Sequence, residues 1–533
     1  MIKKILLTFS VIVLLASCGS VEKHNLQVTK LHSVADLRED VDKLYTQLKR
    51  NHPHLYEFTS KDVLDFKFDS LKSAIQNPMD SRAFYKQLSQ VTKYVGQGHM
   101  SVSPPGKQFK RKERKALYKM KFDINNLDFE YLEDKLFIAN ARGKDSVLIN
   151  AQVLEVEGEK TQDLLDKFKK RIASDGYNTT FHQRVSGNRF LSYYVYDKGR
   201  FDSISFTLKN SDSTFVKQYK RVLRKDSTTA KKDSIKVDSL KLKKKIKLTK
   251  EERKAKKLES KAKRKYNRDH GYNYLRKEYT RNLNFVGKDS TVALLKIRGF
   301  SRNKYEDFYD QTFKTLDSLK TDALIIDLRN NFGGRLKEIT YLYGYLTDNN
   351  YTMINTSEVN TKFPILKSLM SNTTPNGLKV LGGVLTPVFA TIDILKVKKT
   401  DGKLYYRFNS AKEKEAQPLN FKGKIYVLIN GNSFSASSLI STQLQGSKRA
   451  TFVGEETGGA YNGTVAGFYK LYELPNTKVK ARIGLAFIDA PYKTTPEGYG
   501  VKPDIEIIPT YQDRLNNIDP ELEWVLKDIE EKK

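Results

Sequence analysis

Cysteine is almost absent from this sequence of 533 residues, which contains a single one, Cys18. An intramolecular disulfide bond is therefore impossible. Histidine is scarce too, since the chain has only seven, and this limits the candidates for a general base. The apolar run from Ile5 to Leu15 follows two lysines and is too short for a stable membrane-spanning helix. Such a run is typical of a secretory signal segment.

The end of this apolar run has a recognisable pattern. Leu15, Ala16 and Ser17 precede Cys18 and resemble the lipobox of bacterial lipoproteins. The resemblance implies a signal peptide over residues 1–18, with cleavage before Cys18 and lipidation of that residue. Acyl chains anchor a protein by burying methylenes, at ~0.8 kcal/mol each. We therefore expect attachment to the outer membrane of the cell envelope, on its periplasmic face or at the cell surface. The alternative is an ordinary signal segment with an incidental cysteine.

The net charge of +33 is distributed unevenly. Residues 217–268 contain 23 basic and 6 acidic residues, so about half of the excess lies in one tenth of the chain. This composition cannot bury much apolar surface and predicts a solvated helix or a disordered insertion. The lysine-rich stretch 231–265 contains no aromatic residue for base stacking, so we expect no nucleic-acid partner. The insertion could contact anionic lipid or polysaccharide, but a tolerated surface insertion is favoured.

The remaining sequence divides into three predicted units. Residues 33–103 have apolar positions at helical spacing and predict an N-terminal helical cap. Residues 118–216 predict a β-rich module, in which "LEVEGEKTQDLL" resembles the strand, turn and helix of a PDZ domain; a plain β-rich domain is the alternative. Residues 283–515 alternate strand and helix patterns and predict an α/β core with a layered sheet. An insertion at about 352–421 is expected to cap one face of that core.

Two turns in the α/β core directly follow strands predicted to be buried, in "IIDLRNNFGGRL" and "VLINGNSFSASSLI". Open α/β sheets bind ligands at the carboxyl ends of their strands, and a helix amino terminus presents free N–H groups. Backbone amides at Gly333 or Gly334 and at Ala436 could therefore converge on one oxyanion. A serine in the second turn would need a base to attack at neutral pH. His99 is the candidate, because it alone among the histidines lies in a glycine-flanked turn at a domain junction.

Four motifs connect these turns to a known family. They are "ALIIDLRNNFGG", "VLINGNSFSAS", "FVGEETGG" and "GYGVKPDI", and in order and spacing they resemble the tail-specific, or carboxyl-terminal processing, serine peptidases and their tricorn-type relatives. The resemblance implies an α/β core of the ClpP and crotonase type, with Ser435 as nucleophile. It also implies oxyanion amides at Ala436 and at Gly333 or Gly334.

The family has two kinds of base. The processing branch uses a lysine at a place that Ala460 occupies here, and Lys470 is too far along the chain to substitute. The tricorn-like branch uses a histidine and a glutamate, whose places match His99 and Glu497. The resemblance therefore implies a Ser-His-Glu arrangement, with Asp489 and Asp504 as alternatives for the carboxylate.

These observations predict a serine-type endopeptidase that hydrolyses peptide bonds in envelope proteins or peptides through an acyl-enzyme. Ser435 would be the nucleophile and His99 the general base. The substrate would be a peptide or protein segment, and no metal or organic cofactor is expected. One alternative is a catalytically inactive lipoprotein on the same fold that binds peptides or hydrophobic ligands. Another is an envelope scaffold that uses the basic insertion to hold acidic polymers.

Overall fold

The computed structural model describes residues 20–210, 213–224, 249–274, 276–288, 291–300 and 304–532. The predicted signal peptide with Cys18 and the central part of the basic insertion, 225–248, lie outside the described residues. Predictions about those segments stay predictions.

The helices are α1 Val21–Thr29, α2 Val34–Asn51, α3 Lys61–Ala74, α4 Ser81–Thr92, α5 Arg111–Tyr118, α6 Thr161–Lys169, α7 Thr180–Asn188, α8 Phe190–Lys198, α9 Lys250–Asp269, α10 Glu306–Ser318, α11 Leu336–Gly344, α12 Pro364–Leu369, α13 Asn376–Lys396, α14 Ala436–Gly446, α15 Tyr511–Leu515 and α16 Pro520–Glu531. The strands are β1 Ser101–Ser103, β2 Met120–Phe122, β3 Leu127–Leu132, β4 Lys135–Ala141, β5 Gln152–Val156, β6 Glu159–Lys160, β7 Ser203–Asn210, β8 Ser213–Leu223, β9 Tyr272–Asn273, β10 Glu278–Tyr279, β11 Arg281–Val286, β12 Val292–Ile297, β13 Ala323–Asp327, β14 Ser357–Val359, β15 Val397–Thr400, β16 Lys403–Tyr406, β17 Lys424–Ile429, β18 Thr451–Gly454, β19 Gly463–Glu473, β20 Lys480–Asp489 and β21 Ile505–Glu506.

The centre of the core is a sheet with the strand order β11-β12-β13-β17-β18-β21. All neighbouring pairs are parallel except β11 and β12. Side chains alternate between the two faces, so Leu324 and Ile326 join the main apolar cluster while Ala323 and Ile325 pack on the other side, where α16 lies. Burial on both faces explains why these strands are apolar throughout. The predicted strands of the α/β core and the helix at α10 are confirmed.

A second sheet with the order β1-β20-β14-β16-β15 lies beside the core, and β19 also pairs with β20. The predicted insertion at 352–421 contributes to both units. Met353, Ile354 and Phe421 pack into the main apolar cluster, whereas β14, β15 and β16 extend the second sheet. The insertion is therefore more than a cap over one face.

The N-terminal helices pack their apolar faces against this second sheet. Leu37, Val41 and Leu44 on α2 are fully buried, and Ala481 and Ile483 of β20 belong to the same cluster. The helical spacing in this region is confirmed. The contact attaches the cap to the strands that continue into the functional site.

Residues 120–223 form the β-rich module, with the strand order β2-β8-β7-β5-β4-β3 and the helices α6, α7 and α8 packed on it. Strand β8 runs to Leu223, so the first residues of the predicted basic insertion are part of this sheet. Helix α9, at the end of the insertion, is exposed along most of its length, as expected for a solvated helix. Across the described ranges, no helix has the combination of length and apolar character required to cross a membrane.

Candidate active site

The two predicted turns meet because their strands are parallel neighbours. Asp327 at the end of β13 is in register with Leu428 of β17, so the segments after the two strands leave the same edge of the sheet. Asn331 and Phe434 join the turns through a 3.0 Å bond from the Phe434 N–H to the Asn331 carbonyl. The Ser433 hydroxyl adds a second link by donating to the Leu328 carbonyl at 2.9 Å.

Ser435 has an unusual backbone conformation. Its φ is 60° and its ψ is −119°, values that a residue other than glycine rarely adopts. Helix α14 begins at the next residue, Ala436. Ser435 is half-buried, while Phe434 and Ala436 beside it are buried. A strained serine that is raised at a strand-to-helix turn is the geometry of a nucleophile elbow.

His99 reaches Ser435 from the N-terminal part of the chain. Its Nε2 atom lies 3.0 Å from the Ser435 Oγ atom, and its ring packs against Phe434 at a centroid distance of 4.6 Å. Gly98 allows this close approach, because a Cβ atom there would lie 2.8 Å from the Phe434 ring. The structure therefore brings together the two residues that the sequence predicted as nucleophile and base.

The other ring nitrogen of His99 is connected by hydrogen bonds to two residues that the sequence did not predict. Nδ1 lies 3.1 Å from the Oγ1 atom of Thr464, and the Thr464 hydroxyl in turn interacts with the carboxylate of Asp175. Asp175 is completely buried and accepts the Gly98 N–H at 2.6 Å and the Ala460 N–H at 3.3 Å. The four side chains Ser435, His99, Thr464 and Asp175 form one continuous polar chain.

Burial shifts the ionisation of this chain. Desolvation, together with the nearby Arg482 charge, lowers the pKa of His99 to about 3, so the imidazole is neutral at pH 7. Desolvation raises the pKa of Asp175 to about 6, although its hydrogen bonds act in the opposite direction. A neutral imidazole can accept a proton from Ser435. The carboxylate of Asp175 is predominantly charged at pH 7.

The backbone amides near Ser435 are not equivalent. The Gly333 N–H donates to the Asn331 side chain at 2.9 Å and is therefore occupied. The N–H groups of Gly334 and Ala436 have no acceptor among the hydrogen bonds of the described residues. Gly333, at a φ of 87°, packs directly against the Ser435 turn, since a Cβ there would lie 2.7 Å from the Ala436 nitrogen. Gly334 and Ala436 are thus the pair that fits an oxyanion site, and Gly333 is a packing residue.

The structure does not support the sequence-based choice of Glu497 as the third member. Glu497 is exposed and lines a surface cavity with Glu358 and Lys403. The Nδ1 atom of His99, which Glu497 was expected to hold, bonds to Thr464 instead. The prediction of Glu497 is wrong because this residue lies in a surface loop, where its side chain is exposed and forms no hydrogen bond with His99.

The two alternative carboxylates also have other partners. Asp489 accepts from Asn355 at 2.9 Å and pairs with Lys493. Asp504 accepts the Phe452 N–H at 2.7 Å. Neither carboxylate is therefore available to orient His99 in this arrangement.

The remaining charged residues near the turns have structural roles. Arg329 pairs with Asp327 at 3.1 Å and binds both oxygens of Asp519 at 2.7 and 2.8 Å, which fixes the turn after β13. The Glu455 carboxylate accepts from Arg184 at 2.8 Å and from the Gly431 N–H at 3.0 Å, so it braces the serine turn.

In the described structure, no lysine occupies the family position, and Lys470 does not take its place at this site. Ala460 occupies the place of the family lysine and donates its N–H to Asp175. Lys470 binds the Gln47 side chain at 2.8 Å. Over the ranges that the structure describes, no group of three His, Cys, Asp or Glu side chains could hold a metal ion.

The comparisons with known proteins agree with this geometry. The model of Peptidase family S41 matches residues 291–507, which contain both turns and Ser435. This range is a peptidase family S41 domain. The S41 domain makes the chain a serine peptidase, and hence a hydrolase. His99 and Asp175 lie ahead of the matched range, so the cap and the β-rich module complete the polar chain around the domain. No curated protein matches the sequence.

Solved structures extend the fold similarity beyond the S41 domain. The crystal structure of mature CPAF is similar with a TM-score of 0.58 at 16% identity, and covers 93% of this chain and 97% of CPAF. A structure of mature CPAF complexed with lactacystin gives a TM-score of 0.60, again at 16% identity, over 93% of this chain and 98% of CPAF. At this identity the similarity shows a shared fold. It includes the helical cap and the β-rich module as well as the core.

Proposed function

We propose that the chain hydrolyses peptide bonds through an acyl-enzyme on Ser435, with His99 as general base. The observation that carries the proposal is the 3.0 Å distance between Ser435 Oγ and His99 Nε2, at a strained serine that opens a helix. His99 takes the hydroxyl proton as the oxygen attacks the scissile carbonyl, and then passes it to the leaving amine. Water then attacks the acyl-enzyme: His99 takes a proton from the water and passes it to Ser435 Oγ as the ester bond breaks, which releases the carboxylic acid and restores the serine.

Thr464 and Asp175 would set the tautomer of the imidazole. In its charged form Asp175 can only accept a hydrogen bond, so the Thr464 hydroxyl donates to it and the hydroxyl oxygen accepts the Nδ1–H of His99. Nε2 is left with a free lone pair facing Ser435, which is the state a general base requires. Thr464 and Asp175 are positioning residues in this proposal, because they act through His99.

The oxyanion that forms during attack would be held by the N–H groups of Gly334 and Ala436. Both have no acceptor among the described residues, and Ala436 lies at the amino terminus of α14, where the helix dipole favours negative charge. Removing one such donor typically costs about 10²- to 10³-fold in kcat.

We also propose that the enzyme is attached to the cell envelope through lipid on Cys18 and acts there on peptides or protein segments. The lipobox-like residues before Cys18 support this location. The basic segment between β8 and α9 could add contacts to anionic lipid or polysaccharide.

The test is hydrolysis of an internally quenched peptide library by the purified protein. We expect cleavage that Ser435→Ala abolishes and that His99→Gln lowers by about 10³-fold or more. Ser441→Ala is the matched control, because Ser441 is a buried serine of α14 outside the polar chain. Cleavage that survives Ser435→Ala, or that Ser441→Ala removes to the same extent, would contradict the proposal.

A further inference from the structure

A large cleft opens beside the polar chain. It has a volume of about 940 Å³, and its lining includes Gly98, Phe332 and Arg482. Gly98 precedes His99, and Phe332 precedes Gly333 of the turn that packs on Ser435. Arg482 stacks on Tyr469, whose ring lies 6.1 Å from that of His99. The cleft is lined by residues adjacent to His99 and to the Ser435 turn, although His99 and Ser435 are not themselves in its lining, so a ligand there would lie near the reacting groups.

The charge of the cleft has one sign. Among the described residues, its lining contains no Asp or Glu and six cationic side chains: Lys93, Arg171, Arg189, Arg276, Lys480 and Arg482. A cleft lined by one sign of charge concentrates ligands of the opposite sign and accelerates their association. The cleft lining lies outside the basic insertion, so the insertion does not supply these charges.

Two of these arginines have guanidinium groups available for a ligand. Arg171 is neutralised by Asp197 at 2.6 Å. In contrast, Arg189 stacks on Phe332 at 4.4 Å and Arg482 stacks on Tyr469 at 3.6 Å. In the described part of the chain, Arg189 and Arg482 form no ion pair with a carboxylate, whereas Arg276 pairs with Glu278 at 3.8 Å and Lys480 pairs with Glu473 at 3.7 Å. Stacking fixes the plane of a guanidinium while its N–H edge stays open to a carboxylate.

The cleft also contains a strand edge. Ser101, Val102 and Ser103 of β1 line it, and β1 pairs with β20 on one side only within the described residues, with Ser101 opposite Arg482. An extended peptide could pair with the open edge through main-chain hydrogen bonds. Alternate side chains of such a peptide would then face the arginines.

We propose that this cleft binds the substrate as an extended peptide segment carrying Asp or Glu side chains, held by Arg482 and Arg189. One consequence of this binding, a preference for cleavage beside acidic segments, rests on the proposed peptidase function. Two arginines that are not ion-paired within the described residues, Arg189 and Arg482, favour a peptide with more than one side-chain carboxylate over a single terminal carboxylate.

Binding to the inactive Ser435→Ala protein tests the cleft without requiring catalysis. Short peptides would be acetylated, amidated and labelled with a neutral fluorophore, with glutamates in one and glutamines at the same positions in the other. We expect the glutamate peptide to bind at least about tenfold more tightly, the effect of one charge-assisted hydrogen bond. The ratio should shrink as salt rises from about 0.05 to 0.5 M.

Two substitutions test whether the cleft residues cause the difference in affinity between the two peptides. Arg189→Gln in the same background should lower the ratio of the two affinities by about tenfold. Lys256→Gln is the matched control, because Lys256 is exposed on α9 and outside the cleft lining; it should leave the ratio unchanged. Equal affinity for the two peptides would overturn the proposal. So would equally tight binding of a glutamine peptide that has a free carboxyl terminus, since a terminal carboxylate would then suffice.

Hydrolysis by the unmodified protein separates the two proposals. If glutamate peptides bind selectively but are not cleaved, the acidic-substrate cleft stands and the peptidase proposal fails. If both peptides are cleaved with equal kcat/KM, the peptidase proposal stands and the acidic preference fails.

Discussion

The buried carboxylate of Asp175 gives the sharpest prediction. It accepts two backbone N–H groups and interacts with the Thr464 hydroxyl. Asp175→Asn keeps the size of the side chain but removes the charge and replaces one acceptor oxygen by an NH₂ group. The amide can then donate to Thr464, which permits the hydroxyl to donate to Nδ1 of His99 and leaves the proton on the wrong nitrogen.

The magnitude follows from one charge-assisted hydrogen bond. Such a bond contributes about 1.5–3 kcal/mol, and about 1.4 kcal/mol corresponds to a factor of ten in rate. We expect Asp175→Asn to lower kcat/KM by about 10- to 100-fold. The loss should be smaller than for His99 variants, because the carboxylate acts through a threonine.

The pH profile carries a second signature of the same group. Burial raises the pKa of Asp175 to about 6, so its carboxylate forms as pH rises through that value. The pKa of His99, about 3, lies well below this range. Wild-type kcat/KM should therefore rise with pH around 6, and this limb should be absent from Asp175→Asn.

The assay is steady-state hydrolysis of a quenched peptide between about pH 4.5 and 8, a window that brackets both sides of the Asp175 titration. Asp145→Asn is the matched control, because Asp145 is a buried aspartate of the β-rich module that pairs with Lys217 at 3.3 Å. It should retain the limb near pH 6. An Asp175→Asn enzyme with wild-type kcat/KM, or with the limb intact, would show that Asp175 does not orient His99.

Three further variants test the polar chain, the packing around His99 and a buried ion pair of the core. Thr464→Val keeps the shape of the side chain but breaks the polar chain, so we expect a loss of about 10- to 100-fold in kcat/KM. An unchanged kcat/KM would show that the polar chain does not orient His99. Gly98→Ala places a methyl 2.8 Å from the Phe434 ring and should lower both activity and the free energy of unfolding, the latter by about 1–3 kcal/mol in urea titrations; wild-type values for both would contradict the packing argument. Arg281→Met leaves the buried Glu338 carboxylate without its 2.7 Å partner and should lower the free energy of unfolding by about 3–5 kcal/mol, whereas a loss below about 1 kcal/mol would mean that the pair is not essential to the core.

The strand-end turns could be predicted because their signals are local. A buried apolar strand followed by glycine or serine at a helix start is visible in a short window, and parallel neighbours must bring such turns together. His99 could be selected because few histidines exist and one lies in a glycine turn. Its distance from Ser435 was beyond sequence reasoning, since 336 residues separate the two.

Thr464 and Asp175 could not be predicted in the same way. Each is a common residue type, one in a strand and one in a loop, and only tertiary packing makes them neighbours of His99. The family pattern pointed to Glu497, but pattern position does not fix the direction of a side chain in a surface loop. One feature of the sequence could have drawn attention to Thr464, because it follows Ala460, the place of the absent lysine, by four residues.

The central claim is that Ser435 is a nucleophile activated by His99, and covalent labelling measures this directly. The protein would be treated with a fluorophosphonate, and its intact mass and digested peptides would be determined by mass spectrometry. We expect one adduct per chain, located on Ser435, whose formation is abolished or strongly slowed in His99→Ala. Labelling at another serine, or labelling of Ser435 at the same rate without His99, would contradict it.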